Sequence, residues 1–157
     1  MAVQVAVCGP AECTERDWDR AHETGRLLAA RGAVVVCGGH GGVMAAVAAG
    51  ARSAGGTVVG VLPAADRSAA GPDLTVALPT GLGQARNNLI VNAADAVIVV
   101  GGSWGTLSEL ALAMRAGRVP VVQLGGWLVH DEDGRPVAGI VHATDPADAV
   151  RATGLWD

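Results

Sequence analysis

The stretch Ala96-Val97-Ile98-Val99-Val100-Gly101-Gly102-Ser103-Trp104-Gly105-Thr106-Leu107-Ser108-Glu109 decides the fold. Five apolar, mostly β-branched residues end in a glycine-rich turn. The turn runs into a segment of helical spacing, Thr106 to Ala116, closed by Gly117. A strand with no polar alternation is buried on both faces, which requires a parallel sheet with helices above and below it.

The same pattern recurs on either side. Ala33 to Cys37 is a strand, Gly38-Gly39-His40-Gly41-Gly42 a second glycine-rich turn, and Val43 to Ala54 an Ala-rich helix closed by Gly55-Gly56. Before them, Val3 to Cys8 is a strand followed by Gly9-Pro10. Asp17 to Arg31 is a helix, with Ala21, Thr24, Leu27 and Leu28 on one face and Gly32 as its terminator. Thr57 to Leu62 is a strand ended by Pro63. Residues 64 to 73 read as a loop, Leu74 to Leu78 as a short apolar stretch, and Leu82 to Ala94 as a helix. Val119 to Leu124 is a further strand. The pattern weakens from Gly125, where His130-Asp131-Glu132-Asp133-Gly134 reads as a solvated turn. It recovers in a short strand, Gly139 to His142, and a last helix, Pro146 to Ala152. Alternating strands and helices with short connections predict a three-layer Rossmann-like α/β domain. Its mostly parallel sheet has about six or seven strands, in a single domain spanning 1–157.

Composition agrees and narrows the chemistry. Half of the residues are hydrophobic but only 3% are aromatic, with no Phe or Tyr, so the core is built from Val, Ala, Leu and Ile. Net charge is −4 and no basic stripe is present, which argues against nucleic acid as a partner. All 11 basic residues are Arg, so a P-loop lysine and a Schiff-base lysine are both excluded. Cys8, Cys13 and Cys37 are an odd count with no zinc-type spacing, and Cys8 and Cys37, at strand ends, read as small buried thiols in a reducing compartment. Met1 leads directly into the first strand and no apolar run reaches the roughly 18 residues of a membrane helix. A cytoplasmic protein with no membrane partner, no metal and no cofactor is expected.

Both glycine-rich turns follow strands and precede helices, so both fall at the carboxyl edge of the sheet, where α/β folds bind ligands. A helix N-terminus presents unpaired N–H groups and a partial positive charge, and glycines let an anion approach them. Gly38, Gly39, His40, Gly41, Gly42 and Met44 in the first turn are therefore candidates for holding a phosphate. Gly102, Ser103, Trp104, Gly105 and Thr106 in the second, together with Gly9, complete the set. Dinucleotide binding is disfavoured, because Gly9-Pro10-Ala11-Glu12 is not G-x-G-x-x-G and Cys37-Gly38 supplies no acid. Glu109 admits two readings. Thr106-Leu107-Ser108-Glu109 matches a capping box, with Thr106 as N-cap and Glu109 reaching back. Alternatively, Glu109 sits one helical turn from the glycine loop and faces a ligand. Arg86 is the lone charge in a helix otherwise apolar or amide, beside Asn87, Asn88 and Asn92, and is its candidate partner.

Gly38-Gly39-His40-Gly41-Gly42-Val43-Met44, Val61-Leu62-Pro63 and Gly105-Thr106-Leu107-Ser108-Glu109 together resemble the Lonely Guy superfamily, also called lysine decarboxylase-like. Its best-known members are cytokinin-activating phosphoribohydrolases. Thr80-Gly81-Leu82-Gly83-Gln84-Ala85-Arg86-Asn87 looks closest to a short bacterial branch that also holds molybdenum-cofactor carrier proteins. The superfamily signature is P-G-G-x-G-T-x-x-E. Gly102, Gly105, Thr106 and Glu109 match it, while Gly101 stands for the Pro and Ser103 for a Gly. The resemblance implies that Glu109 and Arg86 are the catalytic pair, with Asn87 where the hydrolases usually carry Lys. It implies hydrolysis of the N-glycosidic bond of a nucleoside 5′-monophosphate, or else non-catalytic carriage of a phosphorylated ligand such as a molybdopterin-type cofactor. It also implies a homodimer or higher homo-oligomer. The helices Leu82 to Ala94 and Thr106 to Ala116 agree, since Leu89, Ile90, Val91, Leu107, Leu110, Leu112 and Met114 make each apolar around more than one face.

Overall fold

The computed structural model describes residues 1–156; Asp157, the last residue of the expected domain, lies outside the described residues. Seven strands form one sheet: β1 Gln4–Cys8, β2 Val34–Cys37, β3 Thr57–Leu62, β4 Val76–Pro79, β5 Ala96–Val100, β6 Val121–Leu124 and β7 Ile140–Ala143. Their order is β4-β3-β2-β1-β5-β6-β7, and every neighbouring pair is parallel. The helices are α1 Glu15–Ala30, α2 Val43–Ser53, α3 Arg86–Asn92, α4 Trp104–Ala116 and α5 Pro146–Ala152. The fold is the Rossmann-like α/β architecture expected from sequence.

Burial on both faces follows from the strand composition. β5 is buried at every position, and its side chains divide between two cores. Ile98 and Val100 pack with α1, α2 and α5 through Leu28, Val43, Val47 and Val150. Val97 and Val99 pack with α3 and α4 through Ile90, Val91, Leu110 and Ala113. Strand order reverses between β1 and β5, where Cys8 pairs in register with Val99. That reversal opens a crevice above the two strand ends.

Several boundaries differ from the sequence reading, and three of them have a clear local reason. The apolar stretch Leu74 to Leu78 becomes edge strand β4, because Thr75 ties it to β3: its N–H donates to Val58 O, and the Val58 N–H donates to Thr75 Oγ1. The helix expected from Leu82 to Ala94 is a single 3-10 turn, Gly83–Ala85, followed by the short α3. Thr14 caps α1, its hydroxyl accepting from Asp17 N–H, so that helix begins two residues before Asp17. No described helix is long and apolar enough to cross a membrane.

Candidate functional site

Glu109 is not part of a capping box. Helix α4 begins at Trp104, and its N-cap is Ser103, whose Oγ accepts from the Thr106 N–H at 3.2 Å and lies 2.9 Å from Thr106 Oγ1. Glu109 therefore lies more than one turn inside the helix, where reaching back to the cap N–H is geometrically impossible. It is 7% exposed. Burial pushes its carboxyl up to about 7, opposed by the nearby charge of Arg86 and by the hydrogen bond from the Cys8 thiol. A carboxyl that exchanges its proton near neutrality is a feature of catalytic sites.

Arg86, at the start of α3, is 8% exposed. Its Nε donates to the carbonyl of Val61 at the end of β3 at 2.9 Å, and its Nη1 donates to Asn87 Oδ1. Its Nη2 faces Gly38: a Cβ added there would lie 2.8 Å from Nη2 and 2.6 Å from Met44 Sδ. The glycine is needed to seat the guanidinium. Four ion pairs join described residues, and none of them includes Arg86 or Glu109. The two side chains instead line one cavity of about 180 Å³. Gly9, Met44, Ser103, Gly105 and Thr106, all candidates from sequence, also line it. Pro10, Ala11, Gln84 and Asn87 do so as well, although the sequence reading had not made Pro10, Ala11 or Gln84 candidate site residues. The closeness of Cys8 to Glu109 was equally illegible in sequence, because β1 and α4 meet only in the folded sheet.

The rest of the first glycine turn does not line that cavity. At Gly39 a Cβ would lie 2.5 Å from Leu62 Cδ2, and at Gly42 it would lie 2.2 Å from the Pro10 carbonyl oxygen. Gly42 also holds φ 59°, a left-handed conformation. These glycines let the turn pack against β3 and the Gly9-Pro10 loop. Helix α2 consequently starts without a side-chain cap, its Val43 N–H donating to Pro10 O at 3.0 Å. His40 leaves Nε2 buried without a partner, and burial together with Arg86 holds its pKa below the usual imidazole value. In the second turn, Gly102 backs onto Trp127, and Trp104 is 78% exposed with its ring edge-on to Trp127 at 5.0 Å. Neither residue lines the cavity. No group of three His, Cys, Asp or Glu side chains among the described residues is placed to hold a metal ion.

The model of the SLOG cluster4 family matches residues 2–150. An uncharacterised protein of Archaeoglobus fulgidus is 42% identical over 74% of this chain and 76% of its own length. The cytokinin riboside 5′-monophosphate phosphoribohydrolase of Mycobacterium tuberculosis is 36% identical over 68% of this chain and 62% of its own length. Among solved structures, the molybdenum cofactor binding protein of Rippkaea orientalis superposes with a TM-score of 0.86. It is 31% identical, with 96% of this chain and 94% of that one covered. The chain belongs to the SLOG cluster4 family.

Proposed function

We propose that this chain is a cytoplasmic phosphoribohydrolase, a single domain acting as a homodimer on nucleoside 5′-monophosphates. The observation that carries the reading is Glu109, a carboxyl held near neutrality in the same cavity as Arg86. The cavity's volume of about 180 Å³ suits a ribose phosphate better than a whole nucleotide, leaving the base at its mouth. The phosphate sits against the uncapped start of α2 and the Gly105–Thr106 backbone, with the free N–H groups of Arg86 beside it. Glu109 then takes a proton from water as the water oxygen bonds to C1′. The C1′–N bond breaks, its electron pair goes to the base nitrogen, and Glu109 returns the proton there. The products are free base and ribose 5-phosphate.

The test is incubation with AMP and a panel of other monophosphates, followed by chromatography. Free base appears, and Glu109→Ala lowers the rate by about 10²-fold or more. Nucleotide left intact across the panel overturns the reading.

A second reading, carriage of a phosphorylated ligand such as a molybdopterin-type cofactor without cleavage, is favoured by Asn87. That side chain is 2% exposed, and its Oδ1 is taken by Arg86, so it offers a ligand less than a lysine would. The likeness to the molybdenum cofactor binding protein points the same way. Tight binding by calorimetry without turnover decides for it.

Support for the dimer comes from the placement of α5, which packs on α1 rather than over α3 and α4, leaving Leu82, Leu89 and Trp104 exposed. A stable particle at the 15.6 kDa chain mass in light scattering rules the dimer out. Buried Cys8 and Cys37, their thiols pushed up by desolvation, suit a reducing compartment.

A further inference from the structure

A larger cavity near the sheet edge lies apart from the one that holds Glu109. A space of about 570 Å³ lies over the carboxyl ends of β6 and β7, and it shares no lining residue with the smaller cavity. Its volume falls within the range of small-molecule sites. We propose that it is a second ligand site, which takes an organic anion carried on an apolar body.

Charge argues for the anion. In a chain of net charge −4, this lining holds Arg20, His130 and His142 and no Asp or Glu. Arg20 is largely buried, at 17% side-chain exposure, and meets Asp17 only at 3.4 Å through Nη1. That contact uses one of the five donors of a guanidinium. Leu128, Val129 and Pro136 supply the apolar wall. Gln123 adds a buried polar group, 2% exposed. Its Nε2 donates to the Trp127 carbonyl, and its Oε1 has no partner.

The walls are preformed. Gly125 and Gly126 hold φ 70° and 82°, and Gly126 packs so tightly on Gly101 that a Cβ would lie 2.0 Å from its carbonyl oxygen. Opposite them, His130 and Pro136 form an antiparallel bridge. Asp131 closes that turn by accepting from the Asp133 and Arg135 N–H groups at 2.9 Å each. A site that does not have to be ordered by its ligand loses little entropy on binding.

The test is proton NMR of the histidine ring signals, since the four histidines report on separate places: His22, His40, His130 and His142. The probes are 4-hydroxybenzoate and phenyl phosphate, with phenol as the neutral control. At roughly millimolar concentration either anion shifts His130 and His142 and leaves His22 and His40 in place, while phenol binds about 10-fold more weakly. The tighter anion identifies a carboxylate or a phosphate ligand. Arg20→Gln weakens binding about 10-fold. Leu128→Asp, at a residue 62% exposed and therefore safe for folding, weakens it in the same direction by putting a like charge at the mouth. No shift at His130 or His142 with either anion overturns the site, as does phenol binding equally well. Unchanged affinity in Leu128→Asp, or shifts at His40 instead, also overturns it.

Discussion

The two glycine-rich turns read alike in sequence and do different work in the fold. The turn before α2 has four glycines around His40 and no side-chain cap. Its glycines at 39 and 42 are held by packing, and Gly38 makes room for Arg86. The turn before α4 has a serine at its N-cap, which satisfies one of its helix N–H groups internally. Gly105, inside that helix, has only Ser103 Oγ at 3.9 Å near the place a Cβ would occupy. Glycine density alone therefore does not mark a phosphate site. The Ser103 hydroxyl at α4 and the Pro10 carbonyl at α2 each occupy one N–H of the helix start, so in both helices it is the remaining N–H groups that an anion can meet.

The sharpest way to break this contrast is at Gly42. Gly42→Ala combines a positive φ with a Cβ 2.2 Å from the Pro10 carbonyl oxygen, so it costs about 3 kcal/mol or more in urea denaturation. A loss below about 1 kcal/mol would show that the turn is not pinned by packing.

Glu109→Gln comes next, and its effect depends on pH. The carboxyl is raised from 4.5 to about 7 in the folded chain, so the folded state holds more protons than the unfolded one between those values. Stability therefore falls as pH rises from about 4.5 to about 7 and then levels off, a total loss of about 3 kcal/mol. Glutamine removes that loss. The variant matches the wild type near pH 4 and exceeds it by about 3 kcal/mol at pH 8, which urea midpoints across this range check.

Ser103→Ala removes the cap of α4 and costs about 1 kcal/mol, while α2 has no comparable residue to lose. The smallest effect is at Gly105. Gly105→Ala stabilises by up to about 1 kcal/mol, because alanine is the better helix former and little surrounds the added methyl. The same methyl intrudes on the cavity, so ligand affinity falls as the melting temperature rises. Affinity unchanged by this substitution would remove Gly105 from the phosphate contact.

The sheet was legible because uninterrupted Val-rich runs have few other uses, and β5 was read with its bounds intact. The start of α4 was not. Ser103-Trp104-Gly105-Thr106 and Thr106-Leu107-Ser108-Glu109 both fit a cap followed by its partner three residues on, and Gly105 made the earlier start look like loop. The choice between them decides whether Glu109 is a surface cap or a buried acid, and only the packing of α4 against the end of β1 makes it. Arg86 was found as an isolated charge, but its hold on Val61 spans 25 residues of chain and left no local trace. The larger cavity was hidden for another reason. Apart from Arg20 and Gln123, it is lined by residues between Gly125 and Thr144, most of them in the stretch where periodicity is weakest.

Placing the site at the reversal of strand order has a consequence for how the chain reaches its native state. The Gln4 N–H is held by the Asp95 carboxylate at 2.9 Å across 91 residues, and β1 joins β5 just beyond it. Closing so long a loop makes this central pairing a slow step in folding. At ribosomal rates of about 5–20 residues per second, β1 leaves the ribosome roughly 5 to 20 seconds before its neighbour exists. For that interval the edge of β1 that will pair with β5, with Val5, Ala6 and Val7 along it, stays unpaired and open to wrong partners.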